Sequence, residues 1–385
     1  MKFYLDNNAH VPILPEARLA MMTMLGQSAN PSSPHQQGQK LRQVLESARH
    51  QVRVSLNAGQ GAVIFTSSGS EANNICLNLW NHPLIISAIE HPSVLQPAVA
   101  QGGQVIRVGQ EGRVDLNHLD SLLAETTRPA LVSLMLANNE TGVIQPVGEA
   151  AQLVHRYDGY LHCDASQALA RQPVDFTALA VDFMTISGQK IGGGLGAAAL
   201  VMRAGLTEGA LGQAMTPLMR GGDQESGLRP STENVPAIAG FAAALRNLPR
   251  HYAAMPEIAA WRNEIIALCR RLYPNAVVVG DCAPRLANTL CIALPPVPSA
   301  VTIMACDLAG VSISAGSACS SGSMGKSKIL QAMNLPDAII NSAVRLSLGL
   351  CNLPLDQADT PTARAALMAK LESVLVKSAE NPRTD

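Results

Sequence analysis

The sequence has little charge and no excess of either sign. Of its 385 residues, 15% are charged and 47% are hydrophobic, and the formal net charge at pH 7 is −1. A nucleic acid or an anionic membrane as the main partner needs a basic surface, which this balance does not supply. The composition is typical of a globular chain, and the length is sufficient for two domains.

Long apolar runs and paired cysteines are also missing. No apolar run reaches the roughly 18 residues of a membrane span, and MKFYLDNNAH lacks the basic start and apolar core of a signal peptide. We therefore expect a cytoplasmic protein. The cysteines form no C-x-x-C pair, which argues against a disulfide framework or a zinc knuckle. Because the histidines also lack the spacing of metal ligands, no metal site is predicted.

Strand-like and helix-like segments alternate through the first part of the chain. Seven apolar runs predict strands, with helices between most of them: AVIFTS, LIISA, QVIRV, ALVSLML, YLHCDA, VDFMTIS and AAALVM. Repeated strand–helix–strand order favours a mostly parallel seven-stranded sheet covered by helices, which is an α/β fold.

The character of the sequence changes after about Pro249. A helical segment over Ala259–Leu272 leads to AVVVG, TLCIAL, a helix at Ala300–Ala309, AVRLSLG and a final helix, which predicts a smaller α+β domain. We assign residues 15–252 to the large domain, and residues 1–14 with 253–385 to the small one. Between these parts, Gly205–Pro236 has neither strand nor helix signal, and such long loops are usually functional or form an interface.

Three chemically distinct groups fall at predicted strand ends. Lys190 follows VDFMTIS, Asp164 closes YLHCDA, and Ser70 follows FTSSG at a predicted helix N-terminus, which can bind an anion. An amine, a carboxylate and a phosphate cradle are the three parts that pyridoxal phosphate needs.

Each of these residues also has an ordinary explanation. Lys190 could be a solvated loop lysine, Asp164 an Asx-turn former and Ser70 a simple N-cap. The glycines in GGGLG do not indicate a nucleotide loop, because no G-K-[ST] follows them and the segment leads into a strand.

An ordered series of motifs covers nearly the whole chain and is more specific than any one of them. In these motifs the sequence resembles the cysteine desulfurases of the NifS/IscS type, in the class V aminotransferase family of fold-type I pyridoxal phosphate enzymes. The motifs are YLDNNA, ANPSSPHQQG, FTSSGSEANN, IEHPSV, NNETGVIQPV, HCDASQ, SGQK, GLRPSTENVP, SAGSACSSG and VRLSLG.

The resemblance implies a role for each matching residue. Lys190 would bind the cofactor covalently and act as the base, His91 would stack on its ring, and Asp164 would pair with the ring nitrogen. The remaining cofactor ligands would be Asn139 and Gln167 at the ring substituents, and Gly69, Ser70, Ser187, Gln189 and Thr232 at the phosphate.

The resemblance also implies a substrate and partners. Asn30 and Arg345 would hold the carboxylate of L-cysteine, and Thr232 would reach the phosphate of the neighbouring subunit in a homodimer. Cys319 lies in the small, polar SAGSACSSGSMGKSK, a context typical of an exposed and reactive cysteine, although a buried cysteine stays possible from the residues alone. In the family the matching cysteine takes the substrate sulfur as a persulfide, leaves alanine, and passes the sulfur to a protein acceptor for iron–sulfur cluster assembly or thiolation.

The sequence departs from the family pattern at several places. Gln189 replaces a common histidine, His10 replaces a common threonine, and Met324–Lys328 differs from the usual L-E-P-S. Two other functions therefore remain open: another class V reaction, such as transamination or a selenocysteine or amino-acid lyase, and a weakly catalytic assembly partner. The presence of Cys319 argues against the first, because those reactions need no thiol nucleophile.

Overall fold

The computed structural model describes residues 2–208, 212–316, 326–354 and 359–380. At its centre is a seven-stranded sheet in the order β2-β8-β7-β6-β5-β3-β4, in which only β8 runs antiparallel to its neighbours. The predicted mostly parallel seven-stranded sheet is therefore confirmed. Its strands are β2 (Ala62–Thr66), β3 (Leu84–Ser87), β4 (Gln104–Ile106), β5 (Leu131–Ser133), β6 (Tyr160–Asp164), β7 (Phe183–Ser187) and β8 (Ala198–Met202).

Helices that carry apolar faces pack on this sheet. The first begins at Pro15 and ends before Gly26; proline is tolerated in a first turn because its missing N–H has no partner to lose there. These helices are α1 (Pro15–Leu25), α2 (Gln36–Leu56), α3 (Gly69–Asn78), α4 (Pro92–Ala100), α5 (Leu116–Ala124), α6 (Val147–Arg156) and α7 (Val235–Arg246).

A second core forms around the fully buried Trp261. It packs helices against an antiparallel sheet in the order β12-β13-β10-β9, as expected for an α+β unit. The elements are α8 (Leu248–Leu272), β9 (Val277–Val278), β10 (Thr289–Ala293), α9 (Ser299–Leu308), β11 (Val311–Ser312), β12 (Ser314–Ala315), α10 (Lys328–Ala332), α11 (Asp337–Ser342), β13 (Ala343–Ser347) and α12 (Thr360–Glu380).

The N-terminal residues join this second core. Strand β1 (Phe3–Tyr4) pairs in parallel with β11, and Phe3 and Leu5 are buried among the residues around Trp261. Phe3, Tyr4 and Leu5 therefore pack with the second core, and the assignment of residues 1–14 and 253–385 to one small domain stays a prediction. The boundary proposed at residue 252 lies inside the continuous helix α8, so the two parts share a rigid element there instead of a linker.

Helix α8 is longer than the sequence predicts. It begins at Leu248 and continues through Pro256, whereas the pattern predicts a helix from Ala259. Proline disfavours a helix interior because it lacks a backbone donor, but burial of one face of α8 against the second core outweighs that local cost.

The long segment Gly205–Pro236 contains the short helical turn Gln224–Gly227 in its described part, and its last two residues begin α7. Within it the Glu225 carboxylate is buried and accepts hydrogen bonds from Arg49 at 2.9 Å and from the backbone N–H of Phe65 at 2.8 Å. The segment is therefore held against α2 and β2.

None of the helices in the described ranges is long enough and apolar enough to cross a bilayer.

The buried His251 in α8 makes stability depend on pH. Burial, reinforced by the charges of Arg171 and Arg250, lowers its pKa from 6.5 to about 4. The unfolded chain therefore binds a proton, between these pH values, that the folded protein excludes. Full stability is present above pH 6.5 and declines as the pH falls towards 4, by about 1.4 kcal/mol per pH unit for one such group.

We predict that His251→Gln flattens this decline in the free energy of unfolding, measured by denaturant titration at several pH values. His50→Gln, at an exposed position of α2, is the matched control and should keep the wild-type slope. If the free energy of unfolding falls equally steeply with pH in the wild type and in His251→Gln, then His251 is not the cause of the decline.

Candidate active site

The candidate site lies where the parallel strands of the seven-stranded sheet end. Strand β6 ends at Asp164 and the adjacent β7 ends at Ser187, which a single helical turn connects to Lys190. Carboxyl ends of parallel strands form one edge, and ligands of open α/β sheets bind there. A cavity opens at this edge and is lined by nine of the predicted site residues: Gly69, Ser70, His91, Asn139, Asp164, Gln167, Ser187, Gln189 and Lys190.

The Lys190 amine is held by the N-terminal turn. Its Nζ donates hydrogen bonds of 2.7 Å to the carbonyl oxygens of both Asn8 and Ala9. Below it, the buried Arg171 donates to the Lys190 carbonyl at 2.6 Å and to the Asn7 carbonyl at 3.1 Å, which fixes the backbone on both sides of the contact. The amine is therefore oriented at the cavity wall instead of moving in solvent.

Asp164 is fixed by two donors. Its Oδ1 accepts the backbone N–H of Ser166 and its Oδ2 accepts the side-chain amide of Asn73, both at 2.9 Å. Asn73 lies in α3, one turn after Gly69, so the helix that provides the predicted anion site also orients the carboxylate. A buried carboxylate with only neutral donors favours a cationic partner, such as a protonated ring nitrogen.

The N-terminus of α3 faces the same cavity. The structure places the N-cap at Ser68, whose hydroxyl accepts the backbone N–H of Glu71; Ser70 lies inside the first turn, so the alternative of Ser70 as the N-cap is wrong. The first N–H groups of a helix have no partner within it and carry a partial positive charge. Gly69 and Ser70 thus offer donors to an anion, beside Ser187 and Gln189.

Three side-chain oxygens around the cavity have no hydrogen-bond partner. These are Asn73 Oδ1, Asn139 Oδ1 and Gln167 Oε1, and all three are buried. An unsatisfied buried acceptor costs about 1–3 kcal/mol, so three of them at one cavity indicate a ligand with polar groups. Together with the amine, the carboxylate and the helix N-terminus, these residues fit pyridoxal phosphate.

His91 and Glu90 lie beside this cavity in the turn before α4. Burial lowers the pKa of His91, which favours the neutral ring, and its Nδ1 accepts the backbone N–H of Ser93 at 3.1 Å. Burial raises the pKa of Glu90 well above its usual range, while its Oε1 accepts the N–H of Met135 at 2.7 Å. Burial thus favours the neutral His91 ring, and the hydrogen bond to Ser93 orients this ring at the cavity, where it can stack on a flat ligand.

Three further predicted site residues in the described ranges lie outside the cavity lining: Arg345, Asn30 and Thr232. Arg345, at the centre of β13, is buried and donates to the Asn139 carbonyl at 3.1 Å and to Asp6 at 2.7 Å. Asn30 and Thr232 are both exposed in this single chain, and the Asn30 side chain accepts the N–H of Ser32. Cys319 and Met324 lie outside the described residues.

The structure adds residues that the sequence did not single out. Asn73, Ser166 and the carbonyls of Asn8 and Ala9 contact Asp164 or Lys190 directly. Asn73 lies within FTSSGSEANN at helical spacing from Gly69, so that spacing is a signal that could have found it. The two carbonyl contacts could not be predicted from residue type, because every residue has a carbonyl. Only the motif YLDNNA indicated that this segment is part of the site.

Comparison with known proteins identifies the family of this chain. The sequence profile of the aminotransferase class-V family matches residues 3–356. The chain belongs to this family. A relative named cysteine desulfurase, from Enterobacter agglomerans, is 36% identical over 90% of this chain and 87% of its own. The cysteine desulfurase IscS of Dictyoglomus turgidum is 32% identical over 96% and 95%. The X-ray structure of a NifS-like protein from Rickettsia africae, 32% identical, matches with a TM-score of 0.85 over 97% and 99%.

The class-V family consists of pyridoxal-phosphate-dependent enzymes. Nowhere in the described ranges do three or more histidine, cysteine, aspartate or glutamate side chains come together as a metal site.

We predict that Gly69→Ala weakens phosphate binding without disturbing the fold. A Cβ there would lie 3.5 Å from both Ser166 Oγ and Ser187 Cβ, which is ordinary contact, but it would narrow the space above the free N–H groups. We expect roughly tenfold weaker binding of pyridoxal phosphate, measured by calorimetry, because a hydrogen bond to a charged group is lengthened or lost.

The matched control is Gly148→Ala, a first-turn glycine of α6 with open space around its Cβ position. The melting temperatures of both variants should equal or exceed that of the wild type, since alanine favours helices. Unchanged cofactor affinity in Gly69→Ala would exclude this helix end as the phosphate site.

Proposed function

We propose that this protein is a pyridoxal-phosphate-dependent cysteine desulfurase, which converts L-cysteine to L-alanine and transfers the sulfur through Cys319 to an acceptor protein. The observation that carries the proposal is the convergence of Lys190, Asp164 and the α3 N-terminus on one cavity. The relatives named cysteine desulfurase, which match at 32–36% identity over at least 90% of the chain, support the reaction class.

The cofactor site follows from the groups around the cavity. Gly69, Ser70, Ser187 and Gln189 would hold the phosphate, Asp164 the ring nitrogen, and Asn139 and Gln167 the ring substituents, with His91 against the ring face. When bound, pyridoxal phosphate supplies an electron sink for negative charge that develops at the substrate Cα. Gln189, as a neutral amide, can donate a hydrogen bond to the phosphate without the charge of the common histidine.

Lys190 would both bind the cofactor and move the substrate proton. Two carbonyl oxygens fix its Nζ at the cavity wall, so the amine is oriented before substrate arrives. The Lys190 amine would accept the Cα proton of the substrate at Nζ and return a proton to the product. Such positioned proton transfer contributes about 10²–10⁴-fold to rate.

Sulfur transfer would use Cys319. The thiolate attacks the substrate sulfur, an S–S bond forms, the substrate C–S bond breaks, and protonation of the carbon skeleton gives L-alanine. L-cysteine and a thiol together contain the same atoms as L-alanine and a persulfide, so the step needs no external oxidant. We also propose that Asn30 and Arg345 bind the substrate carboxylate, and that Thr232 binds the cofactor phosphate of the second subunit in a homodimer.

We predict that Lys190→Ala binds pyridoxal phosphate without a covalent link and loses at least about a hundredfold in turnover of L-cysteine to alanine. The covalent link is measured by the mass of the denatured protein after borohydride reduction. Arg246→Ala, a surface change in the last turn of α7, serves as a control for loss of a positive charge. Turnover within a few-fold of the wild type would exclude Lys190 as the base.

We predict that Cys319→Ala binds L-cysteine normally but releases almost no alanine or sulfide, since substrate binding and sulfur transfer use different groups. Alanine is measured by chromatography and the persulfide by intact-protein mass. Cys282→Ala, at an exposed cysteine remote from the cavity, is the control and should keep full turnover. Full activity of Cys319→Ala would favour a lyase or an aminotransferase instead.

A further inference from the structure

The counter-ion of Arg345 comes from the N-terminal turn. Arg345 Nη2 and Asp6 Oδ1 lie 2.7 Å apart, and no other carboxylate in the described ranges lies within ion-pair distance of this guanidinium. The Arg345 side chain is 1% exposed and that of Asp6 is 18% exposed. A buried guanidinium that loses its partner is strongly destabilised, so Asp6 keeps the charge compensated while no substrate is present.

The hydrogen bonding of Arg345 is incomplete. Nη1 donates to the Asn139 carbonyl at 3.1 Å and Nη2 to Asp6, whereas Nε is buried without a partner. A guanidinium can offer two parallel N–H groups to one carboxylate, but Asp6 accepts through a single oxygen. Nε is therefore an unused donor next to an ion pair that rests on a single hydrogen bond, from Nη2 to Asp6. A carboxylate that accepts from both Nε and Nη2 would bind Arg345 better than Asp6 does.

Asp6 can leave Arg345 without moving its backbone. The carbonyl of Asp6 accepts the N–H groups of Ala9 and His10 at 3.0 and 3.3 Å, and the backbone bridges to Ser347. Only the side chain contacts Arg345. Because that side chain is partly exposed, rotation would return its carboxylate to water, where its charge is solvated.

We propose that the Asp6 carboxylate occupies Arg345 in the free protein and is displaced by the substrate carboxylate. Binding is then an exchange of one carboxylate for another, and Arg345 is never buried without a counter-ion. Asp6 is a specificity-determining residue in this scheme, since a ligand without a carboxylate cannot complete the exchange. The inference rests on the proposed function, in which Arg345 receives the substrate carboxylate.

The test compares ligands that differ in the carboxylate alone. The two ligand pairs are L-alanine with ethylamine and L-cysteine with cysteamine. The dissociation constant of each ligand is measured with the holoenzyme of the wild type and of Asp6→Asn. For L-cysteine and cysteamine, both proteins also carry Cys319→Ala. We expect Asp6→Asn to bind the two amino acids about tenfold more tightly, because a competing charged hydrogen bond is removed, and to bind the two amines unchanged. Asp281→Asn, which removes a carboxylate from an arginine pair remote from the cavity, should change neither.

A second readout does not depend on catalysis. Without ligand, Asp6→Asn should melt at a lower temperature than the wild type because Arg345 lacks its counter-ion, and L-alanine should raise that melting temperature by more than it raises the wild type's. Asp6→Ser, which also removes the carboxylate, replaces Asp6→Asn if the latter does not fold.

The outcomes separate this inference from the function on which it rests. If Asp6→Asn binds L-alanine with equal or lower affinity, the exchange is wrong and the carboxylate role of Arg345 stands. If the wild-type protein binds each amine as tightly as its amino acid, both the exchange and the carboxylate site are wrong.

Discussion

The contact between the Lys190 amine and the carbonyls of Asn8 and Ala9 constrains the rest of the site. Lys190 lies at the edge of the seven-stranded sheet, whereas the carbonyls of Asn8 and Ala9 belong to the turn after β1, and β1 packs in the second core. The amine can be oriented only when both parts of the fold are in place. Backbone carbonyls suit this role because they orient the amine by hydrogen bonds. They carry no net charge, so they do not bind the amine as an ion pair would.

Asn8 connects the two parts of the molecule through most of its polar atoms. Its carbonyl accepts from Lys190 and Gln167, its amide nitrogen donates to the Asn139 carbonyl and to Thr289, and its amide oxygen accepts from Asn288. A buried network of this kind is stabilising only when each member is satisfied. Three unsatisfied atoms lie at the cavity, on Asn73, Asn139 and Gln167, where a ligand would complete their hydrogen bonding.

Sequence periodicity was sufficient for the large elements and insufficient for the joints between them. The seven strands were predicted because each is an apolar run bounded by turn residues. Strands β1, β11 and β12 have two residues each, too few for a period, and α8 contains a proline that argues locally against its true start. The contact of the Asp6 side chain with Arg345 joins residues more than a hundred positions apart. So do the contacts of Asn8 with Lys190, Gln167 and Asn139, and these three use backbone oxygens, which every residue has. The sequence motifs therefore predicted nine residues that line one cavity. No sequence pattern predicted the ion pair between Asp6 and Arg345.

The most direct test of the account is to locate the covalent cofactor in the wild-type protein. The purified protein, incubated with pyridoxal phosphate and reduced with borohydride, is digested and its peptides are identified by mass spectrometry. The account predicts one pyridoxyl-modified peptide, with the modification on Lys190. Modification of another lysine at equal yield, or none at Lys190, would contradict it.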